Sequence, residues 1–421
     1  MLPAVEGRNI VIAGMGVVTP NGIGLDEFWN NSINGKSGIK SIEFDDYKTR
    51  VAGRIDDFDP NVIFDSFLEG KEKGVAKSRY AKAVQFGLVA SFQAAKQANI
   101  LGSDMKILPH LRERIGVQIG TGGGGIHEIG PDYLYKLMQK KNFKTSVLRI
   151  QPETVSTYPS MVFLAEGPSS TNVAACATGL DALASAVNLI RGGEADGMIA
   201  GGTESSLTPQ IFEYFSGINA LSNNSNPDKA SRPFDKDRDG FVMSEGSGVV
   251  FLATEEFANE LGAPVIARIL GYGRTSDAFK ATLPNEIGSV RAMRKALKTT
   301  NFSDEELRYI IKAHATSTSM GDEIEMKNIK QVFPNPEEIV IFAPKAIIGH
   351  TMGASGAIEA ILGCLALNNG IVPPTLNLDS PIPEIGEYNV SKEAQLYQAD
   401  VALANSFGFG GINVSMAFGK P

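Results

Sequence analysis

The chain has 421 residues, of which 43% are hydrophobic and 20% are charged, and its formal net charge is −8. These values are typical of a globular protein and argue against general nucleic-acid binding, which needs a basic surface. No run of 18 apolar residues is present and the N-terminus lacks a secretory pattern, so we expect a cytoplasmic protein without a membrane span. The two cysteines, Cys176 and Cys364, argue against a disulfide framework or a metal site.

Short apolar runs alternate with helical stretches along the chain, which predicts an α/β fold. The first apolar run, residues 9–13, is expected to be a strand that ends in a turn at residues 14–16. Residues 80–98 have apolar side chains at helical spacing, which predicts an amphipathic helix at the surface. Residues 180–190 and 354–367 are apolar nearly all round and predict two buried helices.

A weak internal sequence similarity suggests two related halves. Residues 10–19 and 265–276 both have an apolar run followed by a Gly-x-Gly sequence. Between them, a helical stretch ends at Gly262 and Pro264. We therefore expect a division into residues 1–262 and 263–421, although this pattern alone leaves a duplication unproven.

Cys176 occupies a chemically distinctive place in the sequence. It follows a strand-like segment, residues 170–175, and opens the first buried helix. The positive end of a helix dipole favours thiolate, so the pattern predicts a lowered pKa for a nucleophilic Cys176. The alternative is a small apolar side chain packed in the core. Cys364, inside the second buried helix, is expected to pack.

Two histidines also lie where α/β enzymes place catalytic groups. His314 follows the predicted strand 309–313, and His350 follows the predicted strand 340–343 and a glycine turn. Together with Cys176 they suggest nucleophilic acyl chemistry. Structural histidines bonded to backbone carbonyls are the alternative.

One glycine-rich segment predicts a binding turn, and two others lack the full pattern of a nucleotide-binding site. The segment 405–411, Asn-Ser-Phe-Gly-Phe-Gly-Gly, predicts a tight turn whose N–H groups face a ligand oxygen. The run at residues 120–125 lacks the Gly-Lys-Ser/Thr of a phosphate loop, and residues 14–16 lack the third glycine of a dinucleotide fingerprint. No G-x-S-x-G or H-E-x-x-H sequence supports a serine hydrolase or a zinc protease.

Five segments in order resemble the elongating β-ketoacyl-acyl carrier protein synthases, type II above all, and the resemblance covers essentially the whole chain. They are residues 174–179 (AACATG), 232–241 (RPFDKDRDGF), 313–318 (AHATST), 345–350 (KAIIGH) and 405–411 (NSFGFGG). The resemblance implies a thiolase fold, with two similar halves in five αβαβα layers, and a homodimer.

The resemblance also implies a Cys-His-His mechanism. Cys176 would take an acyl group from the phosphopantetheine arm of acyl carrier protein, with the N–H groups of Cys176 and Phe409 as the oxyanion hole. Malonyl-acyl carrier protein would then lose carbon dioxide, while His314 and His350 donate hydrogen bonds that stabilise the enolate. Because both substrates arrive as thioesters on the carrier arm, no metal and no separate cofactor is expected.

Supporting positions carry over from the same resemblance. Lys345 is expected beside the site with Glu325 as its carboxylate partner. The others are two threonines that bind the pantetheine arm, a gating phenylalanine and an aspartate on a loop that moves with the gate: Thr316, Thr318, Phe409 and Asp277.

Departures from the family pattern concern the pocket and its entrance. Gly123 stands where a branched residue often narrows the acyl channel, whereas Phe215 belongs to a segment bulkier than usual. Ala315 replaces the glycine that usually follows the first histidine, and Asn219 replaces an arginine expected at the entrance. The preferred acyl chain length therefore stays open.

The acidic carrier protein is expected to dock on a basic entrance. The candidate patch consists of Lys71, Lys73, Lys77, Arg79 and Lys82. A solvated helix face is the alternative interpretation of the same charges.

We expect the chain to serve fatty-acid elongation, and the closest rival is the same chemistry in a specialised polyketide or polyene pathway. A non-catalytic partner subunit of a synthase heterodimer typically lacks the nucleophile, so Cys176 argues against it. A thiolase needs a second catalytic cysteine, and a type III synthase has an asparagine in place of His350.

Overall fold

The computed structural model describes residues 8–43, 50–56, 58–59, 80–125, 149–280, 283–298 and 307–421. Its helices are α1 (Leu25–Ile33), α2 (Lys82–Gln97), α3 (Thr154–Phe163), α4 (Thr178–Arg191), α5 (Pro209–Gly217), α6 (Glu255–Glu260), α7 (Gly288–Leu297), α8 (Ser319–Val332), α9 (Lys345–Ile348) and α10 (Ser355–Asn369). Its strands are β1 (Ile10–Thr19), β2 (Gly22–Ile23), β3 (Lys40–Ile42), β4 (Arg50–Ala52), β5 (Ile115–Gly120), β6 (Ser169–Ser170), β7 (Gly197–Glu204), β8 (Gly246–Thr254), β9 (Ala267–Ser276), β10 (Tyr309–Lys312), β11 (Ile339–Phe342), β12 (Ile371–Val372), β13 (Asn389–Val390), β14 (Gln395–Leu396), β15 (Val401–Gly408) and β16 (Ile412–Gly419).

One mixed sheet joins most of these strands in the order β13-β11-β10-β15-β16-β9-β1-β8-β7-β5-β6, with β2 beside β1. On one side of the β1–β9 contact, β1, β8 and β7 pair antiparallel, and β7, β5 and β6 pair parallel. On the other side, β9, β16 and β15 pair antiparallel, and β15, β10 and β11 pair parallel. The two sides thus repeat one topology, whereas the boundary between residues 262 and 263 stays a prediction.

Helices form layers on and between the two sides of the sheet. The apolar helices α4 and α10 contact each other in the middle, where α4 packs on β5 and β7 and α10 packs on β8 and β15. Helices α2 and α3 cover β1, β5 and β8, and α7, with α8 against it, covers β9 and β16. The α/β class and the layered arrangement of two similar halves are therefore confirmed.

Glycines allow α4 and α10 to approach each other closely. A Cβ atom at Gly179 would lie 2.6 Å from the backbone nitrogen of Ala357, and one at Gly356 would lie 2.8 Å from that of Leu180. Both helices are buried along most of their length, as predicted. Their N-terminal ends consequently lie side by side in the middle of the molecule.

The turn predicted at residues 14–16 is wrong, because β1 continues through it with a bulge between Ile12 and Gly14. The glycines instead permit close contact with α2. A Cβ atom at Gly14 would lie 2.1 Å from the carbonyl oxygen of Ala94. Gly273 of β9 has the same role, since a Cβ atom there would lie 1.9 Å from the carbonyl oxygen of Ala292 in α7.

Helix α2 is also more buried than its amphipathic pattern predicted. It packs against β1, β7 and β8 on the sheet and against α3. Most of its side chains are consequently inaccessible to solvent. Among the described helices, none is both long and apolar enough to cross a bilayer.

Candidate active site

Cys176 lies in a short 3-10 turn, Ala175–Ala177, that leads directly into α4. The strand predicted before it is limited to Ser169–Ser170. Ala175 has a left-handed backbone with φ 48°, a conformation that costs energy for a residue with a Cβ atom and recurs at functional turns. The hydroxyl of Ser406 donates a 2.8 Å hydrogen bond to the carbonyl of Cys176 and ties this turn to β15.

The predicted lowering of the Cys176 pKa is wrong. Burial raises the pKa of the thiol to about 11 and outweighs the ammonium of Lys345, which acts in the opposite direction. The backbone N–H groups of Phe409 and of Cys176 itself also favour the thiolate. The resting side chain at neutral pH is consequently a protonated thiol, despite its place at a helix N-terminus.

His350 is the immediate partner of this thiol. Its Nε2 lies 3.0 Å from Sγ of Cys176, and its Nδ1 lies 2.9 Å from the hydroxyl of Ser355. That hydroxyl is in turn 3.0 Å from the hydroxyl of Thr351. Because a hydroxyl donates or accepts, Ser355 accommodates either tautomer of His350. Nε2 can thus accept a proton from the thiol or donate one to a ligand.

His314 completes a compact group, with its ring centroid 5.6 Å from that of His350. Burial and the ammonium of Lys345 hold the pKa of each imidazole well below its usual range. Glu325 fixes the backbone here, since its carboxylate accepts the N–H groups of His314 at 2.7 Å and Ala315 at 2.6 Å. Both histidines are consequently neutral at physiological pH.

The predicted pairing of Lys345 with Glu325 is wrong, because Glu325 is occupied by these backbone N–H groups. The ammonium of Lys345 instead donates to Oε1 of Glu359 at 2.6 Å and lies 3.5 Å from Nδ1 of His314. The other oxygen of Glu359 accepts from Lys312, also at 2.6 Å. Glu359 and Lys312 were not among the predicted site residues, although an acid alone in an apolar helix and a lysine at the end of an apolar strand are visible in the sequence.

A cavity of about 330 Å³ leads to Cys176 and both histidines. Thr316 and Thr318 line it, with their hydroxyl oxygens 3.0 Å apart. Each therefore presents a hydroxyl beside the approach to the thiol.

Phe409 and Asp277 line the same cavity from two adjoining loops. The backbone N–H of Asp277 donates to the carbonyl of Gly411 at 2.8 Å, and its carboxylate accepts from the side chain of Asn413 at 2.7 Å. The loops are thus bonded directly to each other, and their joint movement stays a prediction.

The described lining of this cavity does not include Gly123 or Phe215. Gly123 is buried in the turn after β5. Phe215 lies in α5, where its ring centroid is 5.4 Å from that of Phe241 and 6.5 Å from that of Phe409. Their predicted contribution to an acyl pocket stays a prediction.

Of the predicted docking patch, Lys71, Lys73, Lys77 and Arg79 lie outside the described residues. Lys82 begins α2, and its ammonium lies 2.6 Å from a carboxylate oxygen of the buried Glu245. It also donates to the carbonyl of Ile55 at 3.2 Å. This pairing gives Lys82 a structural role and argues against the predicted docking role.

The arrangement suits acyl transfer. It combines a thiol, an imidazole that accepts its proton, a second neutral imidazole and backbone N–H groups beside the sulfur. The sulfur of Cys176 and one ring nitrogen from each of His314 and His350 lie within 4.8 Å of one another, a donor set that also suits a soft divalent cation.

Comparisons with known proteins agree with this chemistry. The sequence matches the family described as "Beta-ketoacyl synthase, N-terminal domain" over residues 7–258, and "Beta-ketoacyl synthase, C-terminal domain" over residues 266–379. The 3-oxoacyl-[acyl-carrier-protein] synthase 2 of Synechocystis sp. is 38% identical, with 99% of each chain covered. The synthase of the same name from Vibrio harveyi is 35% identical, with 98% of this chain and 99% of that one covered.

Solved structures give the same result. The ishigamide ketosynthase/chain length factor superposes with a TM-score of 0.87 at 28% identity, covering 98% of this chain and 99% of that one. A type II PKS ketosynthase, solved in complex with its acyl-carrier protein and bound to the hexaketide, has a TM-score of 0.83 at 30% identity, covering 99% and 100%. On the sequence matches and the fold together, the chain belongs to the β-ketoacyl synthase family.

Proposed function

We propose that this chain is a β-ketoacyl-acyl carrier protein synthase that joins malonyl-acyl carrier protein to an acyl group on Cys176 in fatty-acid elongation. One observation carries the proposal: Sγ of Cys176 lies 3.0 Å from Nε2 of His350, with His314 alongside, at the end of a cavity. The 38% identity to a 3-oxoacyl-[acyl-carrier-protein] synthase 2 along 99% of the chain supports the same reaction.

In the first half-reaction, the thiol of Cys176 attacks the carbonyl of the acyl-pantetheine thioester. Because its pKa of about 11 makes the free thiolate scarce, its proton passes to Nε2 of His350 as the sulfur–carbon bond forms. The N–H groups of Cys176 and Phe409 stabilise the tetrahedral oxyanion. The new thioester remains on Cys176, and the pantetheine sulfur leaves with the proton.

In the second half-reaction, malonyl-acyl carrier protein occupies the vacated arm site. Hydrogen bonds from Nε2 of His314 and of His350 to its thioester oxygen stabilise the enolate left when the carbon–carbon bond to carbon dioxide breaks. Such donors are typically worth about 3 kcal/mol each. The enolate carbon then attacks the Cys176 thioester, and the Cys176 sulfur leaves as a thiolate that takes up a proton from solvent. A β-ketoacyl chain two carbons longer stays on the carrier.

The substrates arrive on the carrier arm, so we propose no further cofactor or metal. Thr316 and Thr318 bind the arm through their hydroxyls in the cavity. Phe409 gates the passage beyond it, in concert with Asp277. We propose that the carrier docks through Lys77 and Arg79, because an acidic protein surface is attracted to basic side chains. The proposed compartment is the cytoplasm.

The test is intact-protein mass after incubation with acyl carrier proteins that bear chains of different length. The wild type is expected to gain one acyl mass and Cys176→Ala none. Cys364→Ala is the matched control, because Cys364 is buried in α10 and burial raises its pKa. Folded wild-type protein that gains no acyl mass from any carrier would contradict the proposal and favour a non-catalytic partner subunit.

A specialised polyketide or polyene pathway is the second candidate, because a polyketide ketosynthase is among the similar structures at 30% identity. The same acylation experiment separates the two pathways. Preference for saturated chains supports fatty-acid elongation, whereas preference for polyketide or polyene intermediates supports the specialised pathway.

We also propose a homodimer formed along the edge strand β6. Both residues of β6 are exposed, and Met161 and Val173 nearby expose 66% and 61% of their apolar side chains. A second copy pairing there would cover this apolar surface and a strand edge that has no partner among the described strands. Light scattering at the mass of one chain would contradict this assembly.

A further inference from the structure

Two fully buried lysines share one carboxylate beneath the candidate active site. The ammonium groups of Lys312 and Lys345 each lie 2.6 Å from a different oxygen of Glu359. None of the three residues exposes more than 2% of its surface. Lys345 reaches His314, whereas the mechanism above leaves Lys312 without a role.

Lys312 connects three elements that carry catalytic groups. It ends β10, and His314 follows two residues later. Its ammonium also donates to the carbonyl of Asn405 in β15, the residue that opens the segment bearing Phe409. Through Glu359 it reaches α10, which follows His350. One side chain therefore joins the strand that leads to His314, the strand that leads to Phe409 and the helix that follows His350.

The charges around Lys312 are few and well defined. Glu359 faces it from α10, Lys345 from α9 and Glu325 from α8. Burial lowers the pKa of Lys312 and raises that of Glu325, whereas the carboxylate of Glu359 favours the ammonium form of Lys312. Lys312 also contributes to holding the pKa of both imidazoles low, after burial and Lys345 for His350 and after burial, Lys345 and His350 for His314.

We infer that Lys312 is a positioning residue for the condensation, because it fixes Glu359 so that the ammonium of Lys345 stays directed at Nδ1 of His314. With Nδ1 accepting from Lys345, the ring proton of His314 lies on Nε2, where it is donated to the thioester oxygen of malonyl-acyl carrier protein. The inference rests on the proposed function and names a residue that the function did not require.

The test compares Lys312→Met with Ile311→Met, a control on the same buried strand that changes no charge. Decarboxylation of malonyl-acyl carrier protein is measured across pH. We expect kcat of Lys312→Met to fall about tenfold, with KM unchanged, because a hydrogen-bond donor to the enolate is misaligned. Loss of a nearby positive charge also eases protonation of the imidazoles. The acid limb of the pH–rate profile should therefore move to higher pH by about half a unit.

A second variant, Lys312→Gln, keeps a hydrogen-bond donor toward Glu359 and Asn405 without the charge, and it carries the test if Lys312→Met does not fold. Equal losses in both Lys312 variants and Ile311→Met, with an unmoved acid limb, would overturn the inference and leave Lys312 a structural residue. If the wild type itself takes no acyl group on Cys176, the proposed function fails and this inference fails with it. If the wild type is acylated on Cys176 but both Lys312 variants decarboxylate malonyl-acyl carrier protein no more slowly than Ile311→Met, this inference alone is overturned.

Discussion

At the scale of single residues, buried ionisable groups around the cavity have environments that oppose their charged forms. Asp322 is one of them: burial raises the pKa of its carboxyl to about 7. This carboxylate accepts the N–H groups of Phe234 at 2.8 Å and Ser317 at 3.1 Å, and so supports the turn that carries Thr316 and Thr318. The stability of this turn is therefore linked to pH.

The sign of that linkage is fixed by the two pKa values. The folded state holds the Asp322 proton up to about pH 7, whereas the unfolded chain releases it near pH 3.8, so stability is lost as pH rises between them. We expect the free energy of unfolding of the wild type, relative to Asp322→Asn, to fall by about 3 kcal/mol between roughly pH 5 and pH 8. Urea denaturation at both pH values measures this difference.

Arg238 lies 3.9 Å from the carboxylate of Asp322 and 3.0 Å from that of Glu323, which is half exposed. Glu323→Gln is therefore the control for this prediction. It should show no comparable change with pH. A constant difference between the wild type and Asp322→Asn at both pH values would mean that Asp322 is already ionised at pH 5.

At the scale of elements, glycines set how closely helices lie on the sheet. Gly14→Ala would bring a methyl group to 2.1 Å from the carbonyl oxygen of Ala94 and push α2 away from β1. We expect this change to lower the free energy of unfolding by about 2 kcal/mol or more. In Gly217→Ala, in α5, the added methyl group has no atom of another described residue within 4 Å, so the free energy of unfolding should stay unchanged or rise slightly. Urea denaturation that ranks the two variants equally would contradict this explanation.

At the scale of the whole molecule, the site depends on how α4 and α10 cross between the two halves. Gly356→Ala would separate the helices, since its methyl group would meet the backbone nitrogen of Leu180 at 2.8 Å. Because displacement of reacting groups by about 1 Å can cost a hundredfold in rate, we expect acylation of Cys176 to slow by about that factor.

Gly363→Ala on the same helix is the matched control for that prediction, because its added methyl group would lie 4.0 Å from Cβ of Ala402, an ordinary van der Waals contact. Time-resolved intact mass reports both rates. An unchanged acylation rate in Gly356→Ala would show that the crossing tolerates the added methyl group without displacing Cys176 from His350.

Sequence patterns predicted those features that depend on neighbours along the chain. The apolar helices were confirmed, and Cys176, His314 and His350 lie together as the family resemblance implied. The predicted partner of Lys345 and the predicted lowering of the Cys176 pKa were wrong, because each depends on groups that only folding brings near. The turn at residues 14–16 was wrong because a glycine needed for close packing looks the same in sequence as one needed for a turn.

The burial that keeps Cys176 protonated has a consequence for oxidative damage. Peroxide attacks thiolates and converts exposed, acidic cysteines first to sulfenic acid and then to irreversible oxidation states. Cys176 exposes only 7% of its surface, and its pKa of about 11 leaves little thiolate at neutral pH. We therefore expect Cys176 of the substrate-free enzyme to react with peroxide more slowly than an exposed cysteine of low pKa.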